Sequence, residues 1–206
     1  MKKTMCITYE VENGLYINMT NRCTNSCEFC IRRNGDGAYG SDSLWLEREP
    51  TVEEVTAAIL ARDMSKYSEV VFCGYGEPSC RLLDVREVAL FIKKRFPTLP
   101  VRINTNGHSD LILGKDSAPL YEGAFDTVSI SLNTPDAQKY VDLCHPVYQK
   151  EAFAALLTFA KNVNKYVQNV LLSVVRETLS EEELCQCQRI ADEIGVTLKV
   201  RTYIGK

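Results

Sequence analysis

Hydrophobic and polar positions in this chain follow two periods that alternate six times. Apolar runs of four to eight residues adjoin stretches in which apolar residues recur at helical spacing. The run 69–73, for example, precedes a helical stripe at Val85, Val88 and Ile92. The alternation predicts an α/β fold with a parallel sheet. Its strands are predicted at residues 15–19, 69–73, 101–104, 126–132, 170–175 and 196–203.

A further strand is predicted ahead of the first of these units. Residues 5–11 are rich in β-forming side chains, and Glu12-Asn13-Gly14 separates them from the run at 15–19. Asn-Gly between two such runs is a signal for a β-hairpin, so the first strand is expected at the edge of the sheet. Six strand–helix units are too few for a complete eight-stranded barrel.

Helix starts and one long loop are also visible. Residues 51–54 (Thr-Val-Glu-Glu) and 180–183 (Ser-Glu-Glu-Glu) are capping boxes, and each is expected to open a helix. Thr134 is expected to cap another helix, with Pro135 at its first position. Residues 31–50 contain three glycines and are predicted to form a loop. Loops of this length are usually functional or mobile.

Polar motifs directly follow four of the predicted strands. They lie at residues 23–30, 74–78, 104–107 and 129–133. In parallel α/β folds the C-terminal ends of the strands meet at one edge, where the chemistry collects. We therefore expect these four motifs to form a single site.

The first of these motifs holds three cysteines, Cys23, Cys27 and Cys30, with gaps of three and two residues. Closely spaced thiolates bind soft metals and iron–sulfur clusters. Three ligands are one short of a closed site, so one iron would stay open to a substrate or cofactor, as in catalytic zinc sites. A structural zinc site and buried core thiols are the alternatives, and no second cysteine pair with this spacing follows nearby.

The composition is ordinary for a globular protein. The chain has 206 residues, 45% of them hydrophobic and 25% charged. Its net charge of −3 favours neither nucleic acid nor an anionic membrane. Residues 1–5 are not followed by an apolar run that could serve as a signal peptide or membrane span. We expect a cytoplasmic protein whose nine cysteines are free thiols and cluster ligands.

The cysteine spacing, with Phe29 before the third cysteine and Thr20-Asn21 before the first, resembles the radical SAM signature. The resemblance implies an open, partial (β/α)6 TIM-type barrel in one domain over residues 1–206. It also implies a 4Fe–4S cluster on Cys23, Cys27 and Cys30, with S-adenosylmethionine on the fourth iron. Reductive cleavage would yield a 5′-deoxyadenosyl radical that abstracts hydrogen from a substrate. An external one-electron reductant of the flavodoxin or ferredoxin type would be needed.

The resemblance also assigns S-adenosylmethionine contacts. Gly74-Tyr75-Gly76-Glu77-Pro78 resembles the Gly-Gly-Glu-Pro motif that contacts the methionine amino group, although Tyr75 separates the two glycines. Strand ends near Val175 and Arg201 are expected to add backbone contacts to adenine. The cofactor-binding residues implied in this way are Phe29, Gly74, Gly76, Glu77, Thr105, Asn106, Ser129, Ser131 and Asn133.

A closer similarity is to the TatD-associated radical SAM proteins. It is carried by residues 44–50, 71–78, 102–107 and 129–133, and it implies a TatD-type hydrolase as a partner. A more distant similarity, to glycyl-radical activating enzymes, leaves open an activase that places a radical on a partner protein. An iron–sulfur binding or redox-sensing module is the alternative without enzymatic activity.

The expected barrel is open at its side, and the sequence suggests three ways to close it. The loop 32–49 is long enough to act as a lid, and a second subunit or a macromolecular substrate could cover the opening instead. A radical intermediate needs shielding from solvent, and we expect one of the latter two to provide it. Cys73, Cys80 and Cys144 lie near the active end, where a thiol could also serve as hydrogen donor.

Overall fold

The structure, a computed structural model, describes residues 5–202 and contains a seven-stranded sheet with the order β1-β2-β3-β4-β5-β6-β7. The strands are β1 (Thr8–Val11), β2 (Gly14–Ile17), β3 (Glu69–Phe72), β4 (Val101–Thr105), β5 (Thr127–Ser131), β6 (Asn169–Val175) and β7 (Thr197–Arg201). The helices are α1 (Val52–Leu60), α2 (Leu82–Arg95), α3 (Ser109–Leu113), α4 (Ala137–Cys144), α5 (Glu151–Val163) and α6 (Glu181–Ile194).

The strand pairing confirms the predicted hairpin and the predicted partial barrel. β1 pairs with β2 antiparallel, with Val11 opposite Gly14, and each later strand pairs with its predecessor in parallel. Within residues 5–202 no pairing joins β1 to β7, so the sheet is not closed. The end predicted for the last strand, Tyr203, lies outside the described residues.

The outer face of the sheet forms the hydrophobic core. Phe72, Ile103 and Ile130 are completely buried there, packed with apolar side chains of the helices such as Ile59 and Leu156. Because side chains alternate along a strand, the residues next to these in each strand point to the other, inner face. Packing of the outer face therefore holds the inner side chains in position.

The helix ends follow the capping signals with one exception. Both predicted capping boxes are present, at Thr51 and at Ser180. The cap predicted at Thr134 is wrong, since α4 begins at Ala137 and its N-cap is Asp136. The Asp136 carboxylate accepts from the Lys139 N–H at 2.7 Å, whereas the Thr134 hydroxyl accepts from the Asp136 N–H in the preceding turn. A carboxylate two residues later satisfies the helix start, so Thr134 remains in the turn.

The predicted loop after the cysteine motif is irregular apart from one 3-10 turn at Ile31–Arg33. Its later part is attached to the end of β2 by side-chain amides. Asn18 Nδ2 donates to the Leu44 carbonyl at 2.7 Å, and Asn21 forms two hydrogen bonds with the Leu46 backbone, at 2.8 and 3.0 Å. This loop is therefore held beside the strand ends by hydrogen bonds to the residues that follow β2.

Candidate active site

A cavity of about 540 Å³ extends over the C-terminal strand ends and the inner face of the sheet. It brings together nearly all the residues predicted for the site. The predicted residues that line it are Cys23, Cys27, Phe29, Cys30, Gly74, Gly76, Glu77, Thr105, Asn106, Ser131 and Asn133, and Val175 and Arg201 line it too. Ser129 is buried and is not among the lining residues.

The cysteine loop is held by backbone hydrogen bonds to the end of α4. The Ser26 N–H donates to the Cys144 carbonyl at 2.9 Å, and the Glu28 N–H donates to the Leu143 carbonyl at 3.1 Å. The carbonyls at a helix C-terminus have no partner within the helix, so the loop satisfies groups that would otherwise need water. This docking places the Cys27 thiol beside that of Cys144.

Burial controls the acidity of the three cysteine thiols. It raises the pKa of Cys23 to about 12 and also raises that of Cys30. A hydrogen bond with Cys144, together with burial, raises the pKa of Cys27. The positive charge of Arg32 opposes the increase at all three thiols. Binding a metal cluster must therefore displace protons from these thiols, as thiolate ligation requires.

The geometry of the cysteines suits a cluster better than a single ion. Among residues 5–202 no three His, Cys, Asp or Glu side chains converge as ligands of one metal ion. Thiolates that bind separate irons of a cluster need not converge on one point. Cys23, Cys27 and Cys30 line one cavity and are all free thiols, so they fit the three-cysteine cluster.

Glu77 connects the loops after β3 and β4. Its carboxylate accepts from the Ser79 N–H at 3.0 Å, the Thr105 hydroxyl at 2.7 Å and the Asn106 N–H at 2.7 Å. Burial raises its pKa, and these hydrogen bonds oppose that increase. A carboxylate offers roughly four acceptor positions, so Glu77 retains capacity for a ligand ammonium group.

The two glycines of this motif allow close chain packing. A Cβ on Gly74 would lie 2.1 Å from Asn18 Oδ1, and one on Gly76 would lie 2.2 Å from the Thr20 carbonyl oxygen. Neither position therefore has room for a Cβ, whether or not a ligand is bound. They let the end of β2, which leads into the cysteine loop, pack against the loop after β3.

The serines of β5 and the asparagine that follows it differ in position. Ser131 and Asn133 line the cavity, whereas Ser129 lies one row deeper, between Asn104 and Leu171 in the strand register. Asn133 has a positive φ of 64° and donates from Nδ2 to the Cys144 sulfur at 3.4 Å. Asparagine tolerates this left-handed conformation better than most residues.

The sequence reasoning missed a buried network behind the cysteine loop. Asn106 Nδ2 donates to the Thr24 hydroxyl at 2.7 Å, and that hydroxyl lies 3.0 Å from His108 Nδ1. The Tyr140 hydroxyl lies 3.2 Å from His108 Nε2 and accepts from Asn25 Nδ2 at 3.1 Å. Burial lowers the pKa of His108 to about 4. A histidine directly after Thr105-Asn106-Gly107 was the available sequence signal.

Several polar groups of the cavity lack partners within the described chain. Asn25 Oδ1, Asn104 Oδ1 and Asn133 Oδ1 are buried acceptors without a hydrogen bond among residues 5–202. All three side chains line the cavity together with the cysteines. Buried acceptors are normally satisfied, so their clustering here fits a ligand that carries several donors. S-adenosylmethionine, with its ammonium group, adenine amine and ribose hydroxyls, is such a ligand.

Comparisons with known proteins identify the family of the chain. The sequence profile of the radical SAM superfamily matches residues 17–187. A probable GTP 3′,8-cyclase of Pyrococcus horikoshii is 27% identical over 189 residues, which cover 91% of this chain and 54% of that protein. The tungsten-containing aldehyde ferredoxin oxidoreductase cofactor-modifying protein of Pyrococcus furiosus is 27% identical over 191 residues, covering 88% of this chain and 49% of that protein.

Solved structures show the same fold. Streptococcus suis SuiB bound to S-adenosylmethionine superimposes with a TM-score of 0.62 at 18% identity, covering 92% of this chain and 38% of SuiB. Methylornithine synthase gives a TM-score of 0.63 at 16% identity, covering 93% of this chain and 53% of that enzyme. The chain therefore spans about half the length, or less, of these four proteins.

These observations define an enzyme built on a partial α/β barrel with its site at the strand ends. The chain belongs to the radical SAM superfamily. Members of that family use a 4Fe–4S cluster and S-adenosylmethionine, and these are the cofactors of this enzyme. No helix in the described part of the chain is long and apolar enough to cross a bilayer.

Proposed function

We propose that this enzyme holds a 4Fe–4S cluster on Cys23, Cys27 and Cys30. Bound in the cavity, the reduced cluster and S-adenosylmethionine supply a 5′-deoxyadenosyl radical that abstracts a hydrogen atom from a substrate. The main support is that the three cysteines line the same cavity as Glu77 and the unpartnered Asn133 amide oxygen. One cavity therefore offers thiols for a cluster and acceptors for a ligand with several hydrogen-bond donors.

The roles of individual side chains follow from their hydrogen-bonding capacity. Glu77 is proposed to accept from the methionine ammonium through its remaining acceptor position. Ser131 and Asn133 are proposed to bind ribose hydroxyls, because hydroxyls and amides both donate and accept. Phe29 is partly buried against the core and lines the cavity, so we propose that it packs beside adenine.

We do not assign the substrates of the relatives to this chain. They are named as GTP 3′,8-cyclases and as a cofactor-modifying protein, and this chain spans only part of their length. We propose a small molecule or peptide that enters from the open side of the barrel between β7 and the hydrogen-bonded loop. A glycyl-radical activase has no specific support among these relatives.

Residues 1–206 are proposed to form one radical SAM core domain. The similarity to TatD-associated proteins remains a proposal, and with it a TatD-type hydrolase as partner. An external flavodoxin or ferredoxin is proposed to supply the electron. The nine cysteines are free thiols, and this supports a reducing, cytoplasmic location.

Anaerobic reconstitution tests the proposed function. The protein is loaded with iron and sulfide, reduced with dithionite in the presence of S-adenosylmethionine, and assayed for 5′-deoxyadenosine. We expect 5′-deoxyadenosine from the loaded protein and none from the Cys23→Ala, Cys27→Ala, Cys30→Ala triple variant. A redox-sensing module would form the cluster but release no 5′-deoxyadenosine, and that result would reject the enzymatic proposal.

A further inference from the structure

The inner face of β7 presents two cations to the cavity. Lys199 and Arg201 alternate with Leu198 and Val200, so their side chains lie on the same side of the strand. Both line the cavity. The ion pairs among residues 5–202 include neither Lys199 nor Arg201. The sequence reasoning had assigned only backbone contacts to this strand end.

Two acidic groups of the cavity are engaged elsewhere. Glu69 pairs with Arg102 at 2.8 Å, and Glu77 accepts three hydrogen bonds from the neighbouring loops. Glu12, in the turn between β1 and β2, lines the same cavity, and its charge and that of Arg201 act in opposite directions on the pKa of Tyr39. Glu69 and Glu77 are therefore engaged with groups other than Lys199 and Arg201.

Arg102 of β4 also lines the cavity, although its charge is paired with that of Glu69. Its guanidinium group and that of Arg201 both lower the pKa of the same thiol, Cys73, although burial of that thiol raises its pKa overall. Both arginines line the cavity, Arg102 from β4 and Arg201 from β7. Arg102 Nε is buried and has no hydrogen-bond partner among the described residues. An N–H donor of this kind is normally satisfied, so it points to a ligand acceptor.

The strand register separates the cations of β7 from the predicted cofactor residues by two strands. Ser131 is opposite Ser173, and Ser173 is opposite Lys199. Lys199 is thus two strands, roughly 10 Å, from Ser131. A molecule held by the cations of β7 would lie beside S-adenosylmethionine rather than in its place.

We propose that Lys199 and Arg201, with Arg102, bind an anionic group of the substrate, either a carboxylate or a phosphate. Ammonium and guanidinium groups offer donors and no acceptors, and their hydrogen bonds to anionic oxygens are the stronger, charge-assisted kind. The inference rests on the proposed function, because the anchored molecule is taken to be the one that loses a hydrogen atom. It narrows the substrate class to small acids and phosphorylated compounds.

Calorimetry on the reconstituted protein with S-adenosylmethionine present tests the subsite without turnover. Pyrophosphate and glutarate serve as the probes, at low ionic strength, and the tighter one identifies the phosphate or carboxylate source. We expect the Lys199→Gln, Arg201→Gln double variant to bind the tighter probe at least tenfold more weakly. The matched control, Lys161→Gln with Arg189→Gln, removes the same two charges from exposed positions on α5 and α6 and should change affinity less than twofold.

Four results would overturn the proposal. These are no probe binding by the unmodified protein, unchanged binding by the β7 variant, an equal loss in the control, or a loss of S-adenosylmethionine affinity instead of probe affinity. The last result would assign the cations to the cofactor. Thermal unfolding of each variant checks that the fold is kept. The 5′-deoxyadenosine assay is run separately, so failure of the radical chemistry is distinguished from failure of the anion subsite.

Discussion

The outer and inner faces of the sheet are built from the same strands and carry opposite chemistry. In β4, Val101 and Ile103 are completely buried against helices, whereas the alternate residues Arg102 and Asn104 line the cavity. The outer residues are apolar and fully packed. Some inner ones, such as Asn104 Oδ1, lack a partner within the described chain.

This difference separates stability from chemistry within one element. Burial of apolar surface on the outer face favours folding, because it removes that surface from water. Unpartnered polar groups on the inner face cost free energy in the absence of a ligand. A change on one face should therefore alter unfolding, and a change on the other should alter binding.

The largest effect is expected at the cysteines. The triple variant Cys23→Ala, Cys27→Ala, Cys30→Ala should lose the cluster completely, since it removes all three thiols proposed as ligands from the cavity. Absorbance and EPR after anaerobic reconstitution measure this. The control is Cys187→Ala, which removes a buried thiol from α6 on the outer side and should keep the cluster. A full cluster in the triple variant would refute the assignment.

A change on the outer face should alter stability by several kcal/mol. Phe72→Ala removes a completely buried ring that packs edge-on against Phe125, with ring centroids 5.9 Å apart. Urea denaturation should show a loss of about 3–5 kcal/mol. The inner-face control, Asn104→Ala, should cost only about 1 kcal/mol, because its amide oxygen has no partner to lose and its hydrogen bond with the Cys73 thiol is the contact removed. Equal losses would contradict the division between the faces.

His108 should make the enzyme sensitive to mild acid. Its pKa is about 4 when folded, lowered by burial, against 6.5 as the ordinary value. Between these values the unfolded chain binds more protons, so stability is complete above pH 6.5 and falls as pH drops toward 4. The difference corresponds to about 3 kcal/mol. Tyr140 and Tyr148, the rings beside it, stay neutral in this range.

Urea midpoints measured from pH 7.5 to 4 test this expectation. A His108→Asn variant should be less stable at neutral pH, because it loses contacts with Thr24 and Tyr140. Its stability should nevertheless decline less steeply with acid than that of the unmodified protein. Parallel curves for the two proteins would show that another group controls the acid response.

The smallest effect should separate two serines of β5. Ser131→Ala removes a hydroxyl that lines the cavity and should weaken S-adenosylmethionine binding about fivefold, equivalent to about 1 kcal/mol. Ser129→Ala removes a buried hydroxyl one row deeper and should change binding less than twofold. Equal effects in equilibrium binding would reject the map of the ribose contacts.

Local patterns in the sequence determined the elements and most of the site. Apolar runs and capping boxes predicted the strands and the starts of α1 and α6, because hydrogen bonds and burial within a few residues fix both. The cap of α4 was misplaced since Thr134 and Asp136 are both competent caps by residue type. The cysteine spacing predicted residues that share a cavity, because cysteines a few positions apart on one loop stay close.

Contacts between distant segments were decided only by the tertiary structure. The meeting of Thr24, His108 and Tyr140 joins residues 84 and 32 positions apart, and no local pattern encodes it. The close packing of Gly74 against Asn18 is another contact of this kind. In the sequence alone, Lys199 and Arg201 are two cations of the last predicted strand. The strand register and the open barrel place them over the cavity, because the position of a side chain across a sheet depends on every strand between.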